Sequence, residues 1–267
     1  MPMARDAGRG DGAAVTLSES AGVRYLHFGT EWVQGAMRLS DPFRLELEYQ
    51  QQMMAPWLFA PQPAQVVQLG LGAAALTKYC YRHLPESRIC AVEIDPAVIQ
   101  VARQWFALPP DDERLQVLRA DAAAQLRRLR GQADWLQVDL YDAAARGPVY
   151  DDAPFYRACR AALRPQGVAA FNLFGRSLQT STAALAQAFG PHWLRLPRSA
   201  AGNTVVLAFA TPAPAPAVAP GWSVDALCQR AATIEARHRL PAQDWLEGLR
   251  AASGRRIALT PGGRLAF

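Results

Sequence analysis

Lysine is almost absent from this chain: Lys78 is the only one, and every other member of its 28 basic side chains is arginine. Against 23 acids they leave a net charge of only +5, and they are scattered. The densest group, Arg127, Arg128 and Arg130, closes a helical pattern, where positive charge complements the macrodipole. No basic stripe is interleaved with aromatics, so the chain reads against a nucleic-acid partner, and an anionic membrane surface is no better supported. Cysteine is scarce too. Cys80, Cys90, Cys159 and Cys228 stand singly in apolar patterns, without the close pairs of a zinc site or the density of a disulfide scaffold. They read as buried thiols of a reducing compartment. His27, His83, His192 and His238 are dispersed, which excludes metal-ligand spacing, and no serine or cysteine sits in a nucleophile elbow. No run of 18 apolar residues occurs, and the first 22 residues lack the apolar centre of a signal peptide, so a cytoplasmic protein without a membrane span is expected.

What is present is an ordinary globular composition, 51% hydrophobic and 19% charged over 267 residues. After a leader over 1–22, expected to be mobile, Val23 to Phe28 and Gly35 to Leu39 read as a hairpin around the Gly29 to Glu31 turn. Asp41 and Pro42 then open a helix whose apolar face includes Leu45, Tyr49, Met53 and Trp57, stopped by Pro61 and Pro63. Residues 23–62 thus form a small N-terminal module. From 63 to 210, short apolar runs alternate with helical patterns, the signature of a parallel sheet covered by helices. Strands are expected at Val66–Leu69, Arg88–Val92, Leu115–Leu118, Trp135–Val138 and Val168–Leu173. Two further strand-like runs, Trp193–Leu196 and Thr204–Phe209, follow one another without a helix between them. Such a terminal antiparallel hairpin marks an α/β fold of the class I methyltransferase-like Rossmann type, with a mostly parallel seven-stranded sheet. Residues 211–220 alternate Pro and Ala and predict an extended linker. Residues 221–267 predict a helical appendage, too small for its own core, that packs on the main domain or on a second subunit.

The first strand runs into Gly70-Leu71-Gly72-Ala73, where glycines allow a tight turn and close backbone approach to a ligand before a helix N-terminus. Ala75 completes a G-x-G-x-x-A pattern and Glu93 follows, a spacing that suits NAD as well as an adenosyl nucleoside. Glu93 ends the second strand, from which paired carboxylate oxygens can accept both ribose hydroxyl protons. Asp95, before Pro96, reads as a helix cap. Asp121, beside Ala122 after the third strand, can accept the adenine amino proton, cap a helix, or do both. The fourth strand ends in Asp139-Leu140-Tyr141-Asp142, two acids and an aromatic at the crevice where open parallel sheets bind ligands. Alternation along an extended tip aims Asp139 and Tyr141 one way and leaves Asp142 for the mouth.

Taken together, Gln34, the Tyr49 to Met53 helix, Gly70 to Gly72, Val92-Glu93-Ile94-Asp95, Asp121-Ala122 and Asp139 to Asp142 resemble the spermidine synthase family, from about Val23 to about Phe209. The resemblance implies aminopropyl transfer from decarboxylated S-adenosylmethionine to a polyamine, without a metal, by a homodimer joined through the N-terminal module. It implies that Gln34, Gly70, Gly72, Glu93, Asp121 and Ala122 hold the nucleoside. It also implies that Asp139 is the catalytic aspartate and that Tyr49, Tyr141 and Asp142 hold the amine. The chain departs from the family at Ala73, where an acid usually binds the aminopropyl ammonium. It departs again at Gln50 to Gln52, where His-Glu usually follows the tyrosine, and at Ala143, where proline is usual. Two other readings therefore stand beside it: a small-molecule methyltransferase using intact S-adenosylmethionine, and a non-catalytic nucleoside-binding homologue.

Overall fold

The computed structural model describes residues 15–142, 147–174, 178–210 and 224–252, and the two-residue strands Ala258–Leu259 and Leu265–Ala266. The proline-alanine linker expected over 211–220 and the first 14 residues of the expected leader lie outside the described residues.

The N-terminal module is larger than a hairpin. Strand β1 (Val15–Ser20) pairs antiparallel with β2 (Val23–Phe28), which pairs with β3 (Gly35–Arg38), so part of the expected mobile leader belongs to a three-stranded sheet. The physical signal was the alternation Val15, Leu17 against Thr16, Ser18, which puts β1's apolar side chains on the face that meets Leu26 and Phe106. The helix expected from Asp41 is also shorter. Asp41 forms a bridge with Arg38 and an ion pair with Arg82, so the helix α1 starts only at Glu48 (Glu48–Gln52) and is followed by a 3-10 turn at Ala55–Leu58.

The main sheet alternates β4 (Gln65–Leu69), α2 (Ala75–His83), β5 (Arg88–Glu93), α3 (Pro96–Trp105), β6 (Leu115–Arg119), α4 (Ala122–Leu126), β7 (Ala133–Val138), α5 (Ala153–Ala162), β8 (Leu163–Leu173) and α6 (Leu178–Phe189). The hairpin β9 (Trp193–Arg195) and β10 (Thr204–Phe209) closes it. The order is β6-β5-β4-β7-β8-β10-β9, with β10 antiparallel to both neighbours and β4 to β8 parallel. This is the arrangement the helix-free pair of terminal strands predicts. Side chains alternate across the sheet with period two. Val66, Trp135, Val168 and Val205 enter one core layer, while Val67, Leu136, Ala169 and Val206 enter the other. Burial on both faces explains why these strands read as continuous apolar runs.

Two polar features inside the core position the site. Gln68 and Gln137, on the adjacent strands β4 and β7, share a 2.8 Å hydrogen bond, and Thr77 donates to Gln68 Oε1 at 2.7 Å. Gln137 Nε2 then donates to the Met53 carbonyl at 2.8 Å, which fastens the end of α1 to the sheet. The solitary Lys78 is buried and donates to the Phe106 carbonyl, at the end of α3. Lost solvation lowers its pKa to about 7, so it acts as a structural clamp between α2 and α3.

The appendage packs on the main domain. From α7 (Val224–His238), Leu227, Ala231 and Ile234 join the layer that holds Trp57 and Trp135. From α8 (Ala242–Ala252), Trp245, Leu246 and Leu249 join the same layer. A side-chain carbon on Gly248 would fall 2.5 Å from the Pro197 ring, so α8 lies directly on the β9–β10 turn. Among the described residues no helix is long and apolar enough to cross a membrane.

Candidate active site at the carboxyl edge of the sheet

The sheet order delivers the carboxyl ends of β6, β5, β4, β7 and β8 side by side, with Asp121, Glu93, Gly70, Asp139 and Asn172 along one edge. Parallel strands create this row because every crossover returns the chain to the opposite edge. Close contacts knit it together. Gly70 N–H donates to the Val92 carbonyl, and Asp139 N–H donates to the Leu69 carbonyl, both at 2.9 Å. Ala120 N–H donates to the Glu93 carbonyl at 3.0 Å.

The loop after β4 needs backbone that side chains resist. Gly70 has φ +93° and Gly72 φ +51°, and even Ala74 is left-handed, at 55°. At Gly70 the constraint is also one of space, since a Cβ there would lie 2.1 Å from the Asp139 carbonyl oxygen. The turn brings Leu71 N–H to Glu93 Oε2 at 3.1 Å, while Asp95 N–H donates to Oε1 at 3.0 Å. With the Ile94 backbone also bonding this carboxylate, three backbone donors hold Glu93 in place and leave it part of its acceptor capacity for a ligand. Burial raises the Glu93 pKa despite those donors. Gln34, just before β3, stands beside this loop, its carbonyl 3.4 Å from where a Gly72 Cβ would lie. Its Nε2 is buried without a hydrogen-bond partner, a donor whose desolvation costs about 1 to 3 kcal/mol until an acceptor arrives. These groups fit a nucleoside: an orphaned donor, a carboxylate with acceptor capacity to spare and a loop pared to backbone.

Asp95 caps α3, accepting from Ala97 N–H at 2.8 Å. Asp121 also caps, accepting from Ala124 N–H at 2.7 Å through Oδ1, with Ala122 buried as the first residue of α4. Its second oxygen accepts the Tyr150 hydroxyl at 2.5 Å, and this bond lifts the Tyr150 pKa to about 12. Sequence reasoning missed Tyr150; it is an isolated aromatic before α5 with no periodic signal.

Asp139 is the most enclosed acid of the row. It is partly exposed, and protein surrounds its carboxylate closely enough that burial raises its pKa. Asn172 Nδ2 donates to Oδ1 at 2.8 Å and the Tyr49 hydroxyl donates to Oδ2 at 3.3 Å, both favouring the charged form. Tyr49 itself is held well above the usual phenol range by burial and by the Asp139 charge, so it is a donor here. Tyr141 donates to the Asn172 carbonyl at 3.2 Å, and burial keeps it protonated. Asp139 and Tyr141 therefore meet at Asn172, a residue the sequence left unmarked inside an apolar strand. Asp142 is half-buried at the end of the first described segment, next to residues outside the description. Phe174, 6.4 Å from the Tyr141 ring and 6.3 Å from exposed Trp32, completes an aromatic rim.

Ala73 faces away from these polar groups. Its methyl joins Leu26, Met37 and Phe106 in the apolar seam under the N-terminal sheet, and a Cβ on Gly35 would lie 2.5 Å from it. Among the described residues no group of three or more His, Cys, Asp or Glu side chains could hold a metal ion.

The spermine/spermidine synthase domain matches residues 46–176 of the sequence. The polyamine aminopropyltransferase of Neisseria meningitidis serogroup A is 31% identical over 242 residues, spanning 90% of each chain. Among solved structures, a probable spermidine synthase from Corynebacterium glutamicum superposes with a TM-score of 0.67 at 20% identity, covering 94% of this chain and 92% of that one. Human methyltransferase-like protein 13, in complex with SAH, superposes with a TM-score of 0.57 at 25% identity, covering 76% and 92%.

Proposed function

We propose, for a chain that belongs to the polyamine aminopropyltransferase family, that it moves an aminopropyl group from decarboxylated S-adenosylmethionine to a polyamine, with Asp139 taking the proton. The observation that carries this reading is the carboxylate of Asp139. It is desolvated by burial, donated to by Tyr49 and Asn172, and lies at the tip of the strand beside the Gly70 turn.

Glu93, Gln34 and the Gly70–Gly72 backbone hold the nucleoside in this reading, and Tyr49, Tyr141 and Asp142 hold the amine. Bound there, the donor supplies a methylene activated by a sulfonium. The amine nitrogen's lone pair forms the new C–N bond as the C–S bond breaks, and its electrons return to sulfur as a thioether. The proton released from nitrogen passes to Asp139 and then to water. An amine with a lysine-like pKa costs about 4 to 5 kcal/mol to deprotonate at pH 7, so an oriented carboxylate is the group the chemistry needs. Tyr49 and Tyr141 remain protonated and orient the amine.

The Ala73 seam favours a second reading. With a methyl packed among Leu26, Met37 and Phe106, the loop offers no carboxylate to hold the ammonium of the decarboxylated donor or to repel the carboxylate of intact S-adenosylmethionine, which suits methyl transfer. One experiment separates the two. Purified protein is incubated with each donor and putrescine from pH 7 to 10. Methylthioadenosine formed from the decarboxylated donor is the expected product; S-adenosylhomocysteine from the intact donor alone would establish the methyltransferase instead. The proposal includes a homodimer joined through the N-terminal sheet, whose outer strand β1 is largely exposed; light scattering gives the mass.

A further inference from the structure

From Asp139 toward the β9–β10 turn, polar groups are joined end to end. Asn203 N–H donates to Ser199 Oγ at 3.0 Å, and the Ser199 hydroxyl reaches Asn203 Oδ1 at 3.5 Å. Asn203 Nδ2 donates to Asn172 Oδ1 at 3.0 Å, and Asn172 Nδ2 donates to Asp139 Oδ1 at 2.8 Å. Ser199, Asn203 and Asn172 are 4%, 8% and 2% exposed, so water does not substitute for these partners.

The direction of the chain is fixed at both ends. A backbone N–H can only donate, so Ser199 Oγ accepts from Asn203 and has its own proton for Asn203 Oδ1. An ionised carboxylate can only accept, so Asn172 must present its amino group to Asp139. Flipping either amide would set oxygen against oxygen in a buried place, at a cost of about 1 to 3 kcal/mol for each unsatisfied group. The loop itself is clamped. Gln52 Nε2 donates to the Pro197 carbonyl at 3.2 Å, Glu48 accepts from Ala200 N–H at 2.9 Å, and Gly248 lies against the Pro197 ring.

We propose that Ser199, Asn203 and Asn172 form a one-way positioning relay. It reserves Oδ1 of Asp139 and makes Oδ2, the oxygen beside the Tyr49 hydroxyl, the atom that takes the proton from the acceptor amine. The inference rests on the reading of Asp139 as the proton acceptor and names the atom and the residues that select it. A proton on Oδ1 would confront the Asn172 amino group, whereas Oδ2 has only the long 3.3 Å bond from Tyr49, which leaves it a lone pair. The ionisable groups that act on Asp139 are Tyr49 from α1 and Tyr141 from the extension of β7, and both stay neutral. The terminal hairpin of the fold thereby acquires a task at the reacting centre, carried by the buried Ser199 and Asn203, which act on Asp139 through Asn172.

The test uses full-length Asn172→Leu and Ser199→Ala. The Asp139 carboxyl carbon is titrated by NMR in protein labelled at aspartate, its signal assigned by its loss in Asp139→Asn. kcat/KM is measured from pH 6 to 10 with decarboxylated S-adenosylmethionine and putrescine. With one donor to the charged form removed, the Asp139 titration and the acid limb of kcat/KM move to higher pH in Asn172→Leu. kcat/KM at pH 7 falls about tenfold. Ser199→Ala moves both in the same direction by less, and methylthioadenosine affinity by calorimetry stays within about twofold of wild type. A folded Asn172→Leu with an unmoved titration overturns the relay. If that variant does not fold, an unmoved titration in Ser199→Ala overturns it. The NMR titration needs no turnover, so an inactive wild type would sink the aminopropyl reading while the relay is still measured.

Discussion

Gly70 and Asp139 approach so closely that a methyl group on the first would fall 2.1 Å from the carbonyl oxygen of the second. The φ of +93° at Gly70 adds a second penalty for any side chain. Gly70→Ala therefore pushes the loop after β4 away from the tip of β7. A loss of about 2 kcal/mol or more of unfolding free energy is expected, together with a loss of methylthioadenosine binding. Urea denaturation and calorimetry check it, and near wild-type values in both would mean the two strand tips are less tightly joined.

Asp139→Asn keeps the shape of the side chain and its hydrogen bond with Asn172 but cannot take a proton. kcat is expected to fall by about 10² to 10⁴, with donor affinity preserved. The same change is expected to stabilise the fold by about 1 kcal/mol at neutral pH. The Asp139 pKa is raised in the folded protein, so the folded state binds this proton more tightly than the unfolded chain does, and the charged form is a burden above the folded pKa. The stability advantage of the variant then disappears as pH falls toward the carboxylate's unfolded value. Denaturation curves of both proteins across acidic to neutral pH show whether it does.

Activity should rise with pH for two reasons that act in the same direction. Asp139 and Glu93 both titrate above their ordinary range because of burial, and the charged forms are those that take the proton of the amine and accept the hydrogen bonds of a ribose. The acceptor amine also needs to lose its proton. The expected profile of kcat/KM has an acid limb displaced upward from the usual carboxylate range. A flat profile between pH 6 and 8 would show that proton transfer does not limit the reaction.

Restoring an acid in the glycine loop should fail for a packing reason. Ala73→Asp places a carboxylate among Leu26, Met37 and Phe106, against the backbone of Gly35. A cost of about 3 kcal/mol is expected, measured by urea denaturation. A cost under about 1 kcal/mol would mean that the position opens to polar surroundings instead.

Some features could be read directly from residues. The helix-free interval between the runs now seen as β9 and β10 revealed the antiparallel end of the sheet, because a crossover between parallel strands needs a dozen or more residues of its own. Gly70, Glu93, Asp121 and Asp139 stood out because each follows an apolar run, and parallel strands end at one edge. The alternation of β1 is short and follows a glycine-rich start, so it carries little local signal, and Asp41 bridges Arg38 and pairs with Arg82 instead of opening a helix.

The layered α/β fold and the row of acids follow from hydrophobic period and strand-end position, which are local properties of the chain. What each polar group faces depends on how distant elements pack. Ser199 and Asn203 lie in a loop, and Asn172 lies in a buried strand some 30 residues earlier in the chain. The hydrogen bonds that join them to Asp139 exist only after β10 inserts beside β8, so no spacing in the sequence announces them. Ala73 likewise turned out to belong to a hydrophobic seam, because the direction of a side chain is set by the backbone turn and by the sheet packed against it.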